Sequence, residues 1–238
     1  LDAIRDELGP VDGLLYNGLA LLWGGAVRGV VLKRFLPSYS VFYEGRNFTP
    51  WRGRSPAECR GVPAGDLLFR LPFGDLSAQI CEDAWVWPQE NLPLLLRAQV
   101  LANASASPFS LFKPEQRRRI MLDTADRMCC HYLFSNLVGL DSARLVFDGG
   151  ALVATPDGLA AEGPLLHREP WRLVGAVVDL DDVVRRRSEN TTWREAAAGA
   201  WARERVGAEV DLRAEGRARF LPAARSEERR VGKECRSR

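Results

Sequence analysis

Leu76-Ser77-Ala78-Gln79-Ile80-Cys81-Glu82-Asp83-Ala84-Trp85 sets a thiol at the junction of an apolar run and a polar turn. The run Leu76–Ile80 reads as a buried strand, and Cys81 stands where a strand end presents a nucleophile to a cleft. A buried structural cysteine is the alternative reading of the same position. Upstream, Leu67–Leu71 reads as the strand that pairs with it around Pro72-Phe73-Gly74-Asp75. Further out, Leu14–Leu22 and Val27–Leu32 form a second pair, joined by the hairpin turn Trp23-Gly24-Gly25-Ala26.

Downstream, Leu92–Gln99 has helical character and Val100–Ala104 is another buried strand. The clearest helix is Glu115–Tyr132, with Pro114 at its start and Glu115 at the positive end of the dipole. Strands are expected at Leu133–Val138, Leu145–Phe147, Ala151–Ala154 and Leu173–Val178, with a turn at Asp157-Gly158. A helix is expected within Trp193–Arg205. Strands interleaved with helices give an α/β class built of α+β layers.

Composition narrows the function classes. The chain has 238 residues, 46% hydrophobic and 27% charged, enough for one sizeable core. It holds no apolar run of about 18 residues, so no membrane-spanning helix is expected. Leu1-Asp2-Ala3-Ile4 shows neither the basic nor the apolar region of a signal peptide, and the missing Met suggests a start partway through a gene. Five cysteines without framework spacing favour a reducing, cytoplasmic setting. The net charge of +2 vanishes when Ser226–Arg238 is set aside, which leaves no basic footprint for nucleic acid. That segment carries eight charges in 13 residues and is expected to be a disordered, non-native tail.

A thiol of ordinary pKa needs activation. The chain has two histidines, His131 and His167, and neither has local support as a papain-like partner. On a continuous helix Cys129, Cys130 and His131 would fan out about 100° apart, which suits core packing better than a shared metal. No metal site is expected. Of the three lysines, Lys33 follows Val30-Val31-Leu32, where a charge is costly unless paired, and Glu44 is the plausible partner. Snorkelling to solvent is the alternative. Arg117–Arg119 and Arg185–Arg187 read as solvated helix faces, although the first run, following Lys113, could line a cleft mouth.

Three blocks together resemble the nitrilase (carbon–nitrogen hydrolase) superfamily. They are Lys33-Arg34-Phe35-Leu36-Pro37-Ser38-Tyr39 with Phe42-Tyr43-Glu44, then Ile80–Trp85, then Asn103–Phe109. Within it the likeness is to the glutaminase domain of glutamine-dependent NAD synthetase, and Asn136–Gly139, Val146–Gly150 and Asp179–Arg187 continue it. The resemblance implies an αββα sandwich over residues 1–195 whose first strands and helix are missing. Residues 196–225 would then be a linker toward an absent synthetase domain, which would use ATP and Mg; the amidase domain itself needs no cofactor.

It also implies roles. Cys81 would be the nucleophile, Lys33 the oxyanion partner and Glu44 the second glutamate holding the lysine. Tyr39, Glu82 and Ser107 would bind glutamine. The family's general-base glutamate has no counterpart before Lys33, so this chain alone is expected to be inactive. The leading reading is the ammonia-supplying glutamine amidohydrolase of an NAD synthetase, working as a homo-oligomer. A free-standing amidase on another small amide and a catalytically dead assembly module are the alternatives.

Overall fold

The turn Gly24-Gly25 takes positive φ at both residues (60° and 78°), the conformation that closes a two-residue hairpin with the twist of its strands. It joins β1 (Gly18–Trp23) to β2 (Ala26–Leu32) in a computed structural model describing residues 14–87, 89–141, 144–201 and 207–214. β2 pairs in parallel with β4 (Val62–Gly65), and β3 (Ala57–Cys59) closes the small sheet in the order β1-β2-β4-β3.

A seven-stranded sheet forms the second layer. β5 (Leu67–Leu71) and β6 (Gly74–Ile80) are antiparallel; β6, β7 (Val100–Ser105) and β8 (His131–Asn136) run parallel at the centre. After the small hairpin of β9 (Val138–Leu140) and β10 (Val146–Asp148), β11 (Ala151–Thr155) and β12 (Gly158–Glu162) complete one edge. β13 (Ala208–Asp211) adds in parallel to β5 at the other.

The sheets meet face to face through Val31, Leu67, Phe69, Leu71 and Ala78. Gly29 on β2 allows that approach, since a Cβ there would lie 2.7 Å from both Leu67 and Phe69. On the far face of the large sheet lie α3 (Lys113–Met128) and α5 (Thr191–Trp201), following the one-turn helices α1 (Glu44–Asn47) and α2 (Leu92–Leu95). Met121, Ala125 and Met128 of α3 and Trp193, Ala197 and Ala200 of α5 pack on Leu101, Tyr132, Phe134 and Leu152. The described residues thus run helix layer, large sheet, small sheet. The second helix layer of the expected αββα order is not among them.

Several expectations shift. The long helix stops at Met128, four residues early, because Cys129 turns left-handed (φ 45°) and the His131 amide donates to Gln99 O at 2.9 Å, starting β8. His131 and Tyr132 therefore belong to a strand, and the fan of Cys129, Cys130 and His131 on one helix does not exist. Leu92–Gln99 is helical only to Leu95. Leu173–Val178 is not a strand: Leu173 and Val177 are exposed and pair with no neighbour among the described residues. Of the segment 196–225, read as a linker, residues up to Trp201 continue α5 and Ala208–Asp211 form β13, whose four residues are too few for a period-2 signal. The tail 226–238 and the N-terminal 1–13 lie outside the described residues.

The two arginine runs are not uniformly solvated. Arg117 is buried, pairs with the fully buried Asp148 and lies over the Phe134 ring, on the α3 face that carries Met121 one turn later. On α4 (Leu180–Glu189), Arg187 donates to the carbonyls of Ala98 (2.6 Å) and Cys129 (3.0 Å) and stacks on Trp193. It caps the end of α3 and packs α4 against the N-terminal ends of β7 and β8.

Candidate active site

Parallel β6, β7 and β8 all end on one side of the sheet, and strand ends of that kind leave a crevice where polar side chains gather. Cys81 follows β6, Ser107 lies just beyond β7, and Asn136 ends β8. β2 of the facing sheet delivers Lys33 one residue past its last strand residue.

Cys81 opens a 3-10 turn, Cys81–Trp85, with φ +47°, a left-handed conformation that a non-glycine residue adopts only under constraint. The constraint comes from Asp83, buried within that turn, whose Oδ2 accepts the Ile80 amide at 3.0 Å. Its Oδ1 accepts the amides of Phe35 (2.9 Å) and Arg34 (3.2 Å) across the two sheets. Burial pushes the Asp83 carboxyl up to about 6, while the Ile80, Phe35 and Arg34 amides and the Lys33 charge pull it back down.

Lys33 is almost fully buried, and its Nζ donates to both oxygens of Glu44, at 2.7 and 2.6 Å. The pairing rules out snorkelling and meets the cost of burying the cation. The next residue, Arg34, is buried as well: it donates to Asp66 and to Glu90, each at 2.6 Å, and Asp66 also takes Trp51 and Asn91. The chain that leaves β2 is therefore anchored at successive residues.

Tyr39 and Glu82 meet at the surface, the hydroxyl donating to the carboxylate at 3.1 Å. Partial burial first, then the Glu82 charge, raises the tyrosine's pKa. Both residues line a groove of about 350 Å3 with Phe35, Pro37, Phe48 and Arg52. Cys81 and Lys33 do not line it and are buried, 8% and 1% exposed.

Ser107 is held by its backbone: its amide donates to Asn136 Oδ1 at 2.8 Å and its carbonyl accepts from Asn136 Nδ2 at 2.9 Å. Asn136 in turn donates to Asp148, the partner of Arg117. The structure thus joins Lys33 to Glu44 and Tyr39 to Glu82, and sets Ser107 beyond the strand paired with the one that carries Cys81.

Sequence reasoning missed Asp83, Asn136 and Asp148, which lay in the quoted motifs without roles. Lys113 is a further gain. Burial first, then Arg117, lowers its pKa, and its Nζ lies 5.5 Å from the centre of the Phe42 ring. Its sequence signals were its rarity, as one of three lysines, and its place ahead of the Arg117–Arg119 run read as able to line a cleft mouth.

The histidines do not serve the thiol. His131 begins β8, at the end of the sheet away from Cys81, with Nε2 3.1 Å from Asp179 O. His167 Nδ1 is engaged by Glu169. Cys129 and Cys130 are poor nucleophiles: burial raises both, the second to about 12.

A glutamine-dependent NAD(+) synthetase of Aquifex aeolicus is 33% identical over 195 residues, 81% of this chain and 31% of that protein. That of Mycobacterium bovis is 34% identical over 176 residues, 70% of this chain and 26% of that protein. The chain spans about a quarter to a third of the length of these curated relatives. Among solved structures, the glutamine-dependent NAD(+) synthetase of Cytophaga hutchinsonii superposes with TM-score 0.61 at 27% identity, over 71% of this chain and 28% of that one. A carbon–nitrogen hydrolase of Helicobacter pylori G27 superposes with TM-score 0.57 at 21% identity, over 76% and 62%, a likeness of fold alone. No protein-family model matches the chain.

Proposed function

Homologous to one region of the glutamine-dependent NAD synthetases and folded like a carbon–nitrogen hydrolase, this chain, we propose, hydrolyses the side-chain amide of glutamine through Cys81. The observation that carries the reading is a buried lysine, doubly bonded to Glu44 at a strand end, whose segment Asp83 ties to that of a cysteine in a strained turn. A structural lysine has no need of such a position, whereas an oxyanion partner must be fixed before charge develops.

In the proposed reaction the Cys81 thiolate adds to the amide carbonyl, and Lys33 with the following backbone N–H meets the oxyanion. Collapse breaks the C–N bond, the nitrogen leaves as ammonia after gaining a proton, and a thioester remains for water to cleave to glutamate. Glu44 holds Lys33. Glu82 and Tyr39 meet the polar end of the substrate, and Ser107 bounds the far side. Glu44 and Glu82 are already engaged by Lys33 and Tyr39, so neither is free to serve as the general base. The ammonia acceptor we infer from the relatives is an ATP-dependent synthetase unit.

Ammonia release from glutamine and from other small amides tests the reading, together with labelling by a glutamine-analogue diazoketone. Both are measured for this chain and its cysteine variants. Labelling is expected to require Cys81 and to survive Cys59→Ala, Cys129→Ala and Cys130→Ala. Labelling that follows Cys129 or Cys130 refutes the site; ammonia released from other small amides but not from glutamine refutes the substrate.

A further inference from the structure

We propose that Asp83 is a positioning residue, its one carboxylate setting Lys33 against Cys81 across the two sheets. Asp83 is 3% exposed and its side chain spends its hydrogen bonds on backbone amides. Those amides belong to the two segments that must be registered. Ile80 immediately precedes the thiol; Arg34 and Phe35 immediately follow the lysine. The sequence separations of 48 and 49 residues mean that no local turn fixes this spacing.

Arg34 adds its side-chain bonds to Asp66 and Glu90, but the faces of the sheets themselves meet through apolar contacts, such as Val31 with Leu67 and Phe69, and such packing tolerates sliding that directional N–H···O bonds resist. Asp83 is itself held at its main chain, where Gln79 and Gln89 donate to its carbonyl. Its bond to Ile80 also closes the turn that keeps Cys81 left-handed. A side chain fixed at both ends, joining nucleophile and cation segments without entering the cleft, transmits position rather than chemistry.

The inference rests on the proposed pairing of Lys33 with Cys81, and its test is a double-mutant cycle read by a generic electrophile rather than by glutamine. Iodoacetamide alkylation of Cys81 is followed by peptide mass mapping in the whole chain and in Lys33→Met, Asp83→Asn and the double variant. Cys59 alkylation and the melting midpoint report folding.

With Lys33 held near the thiolate, Lys33→Met is expected to slow alkylation about fivefold or more. In the Asp83→Asn background the same change is expected to matter by less than about twofold. Equal factors in the two backgrounds overturn the proposal, as does a Lys33→Met change without effect in either. Should Asp83→Asn not fold, Asp83→Ser keeps a small acceptor and enters the same cycle. A coupled cycle in a protein that never releases ammonia from glutamine fails only the functional reading; glutamine hydrolysis with an uncoupled cycle fails only this inference.

Discussion

Two effects contend at Asp83, and Asp83→Asn decides between them. Burial favours the neutral acid, while three amide donors and the Lys33 charge favour the carboxylate. In the fold burial wins and lifts the group from 3.8 to about 6, an interval of roughly two pH units. At about 1.36 kcal/mol per unit, linkage makes this about 3 kcal/mol. The sign follows from proton uptake. Between 3.8 and about 6 the folded chain holds a proton that the unfolded chain has released, so stability falls as pH rises through that window. The contribution is fully present below 3.8 and gone above about 6. Urea unfolding of the wild-type chain and of Asp83→Asn from pH 3.5 to 8 isolates it, because other titrating groups cancel in the difference. Relative to the variant, wild type is expected to lose about 3 kcal/mol across the window. A pH-independent difference refutes the reasoning. A wild type that gains on the variant with rising pH shows that the amides outweigh burial.

Lys33→Met is expected to lower glutamine turnover about 10²–10³-fold with a smaller change in KM, since the lysine acts on charge that appears in the transition state. Near-normal turnover would leave Lys33 structural. Asp148→Ala strands a buried Arg117 and frees Asn136, which holds both backbone groups of Ser107. Breaking such a buried pair is expected to cost about 3–5 kcal/mol in urea unfolding. A loss within experimental error would place the ion pair in contact with water.

Some of this was legible at once. The motif Ile80–Trp85 announced a strand and a turn because the change from apolar to polar is local, and Gly24-Gly25 announced its hairpin for the same reason. Lys33 with Glu44 was readable because a lysine beside three apolar residues has few inexpensive fates, and an acid eleven residues on supplied one. The family likeness came from three blocks in order. Homology to the NAD synthetases and the fold of a carbon–nitrogen hydrolase agree with it.

The misreadings have physical causes of their own. Glu115–Tyr132 looked like one helix because nothing local forbids Cys129–Tyr132 from continuing it. The strand there is selected by pairing with β7, in register from His131↔Val100 to Asn136↔Ser105. Leu173–Val178 carried strand-like residues but found no neighbour, and an apolar run without a partner strand is not a strand. Arg117 and Arg187 looked solvated by charge alone. Their burial depends on Asp148 in one case and on helix-end carbonyls in the other, partners 31 and as many as 90 residues away.

By itself, then, the sequence determined the alternation of strands and helices, the two hairpins, the strand-end thiol and the lysine that had to be paired. These follow from the chemistry of neighbours, which the chain order contains. Tertiary structure alone decided that β6, β7 and β8 end together and that Asn136 clasps Ser107. It alone decided that Asp83 ties residues 34 and 35 to residue 80. A buried carboxylate must satisfy its oxygens, but nothing local says with which amides; only the packing of the two sheets brings those donors within reach.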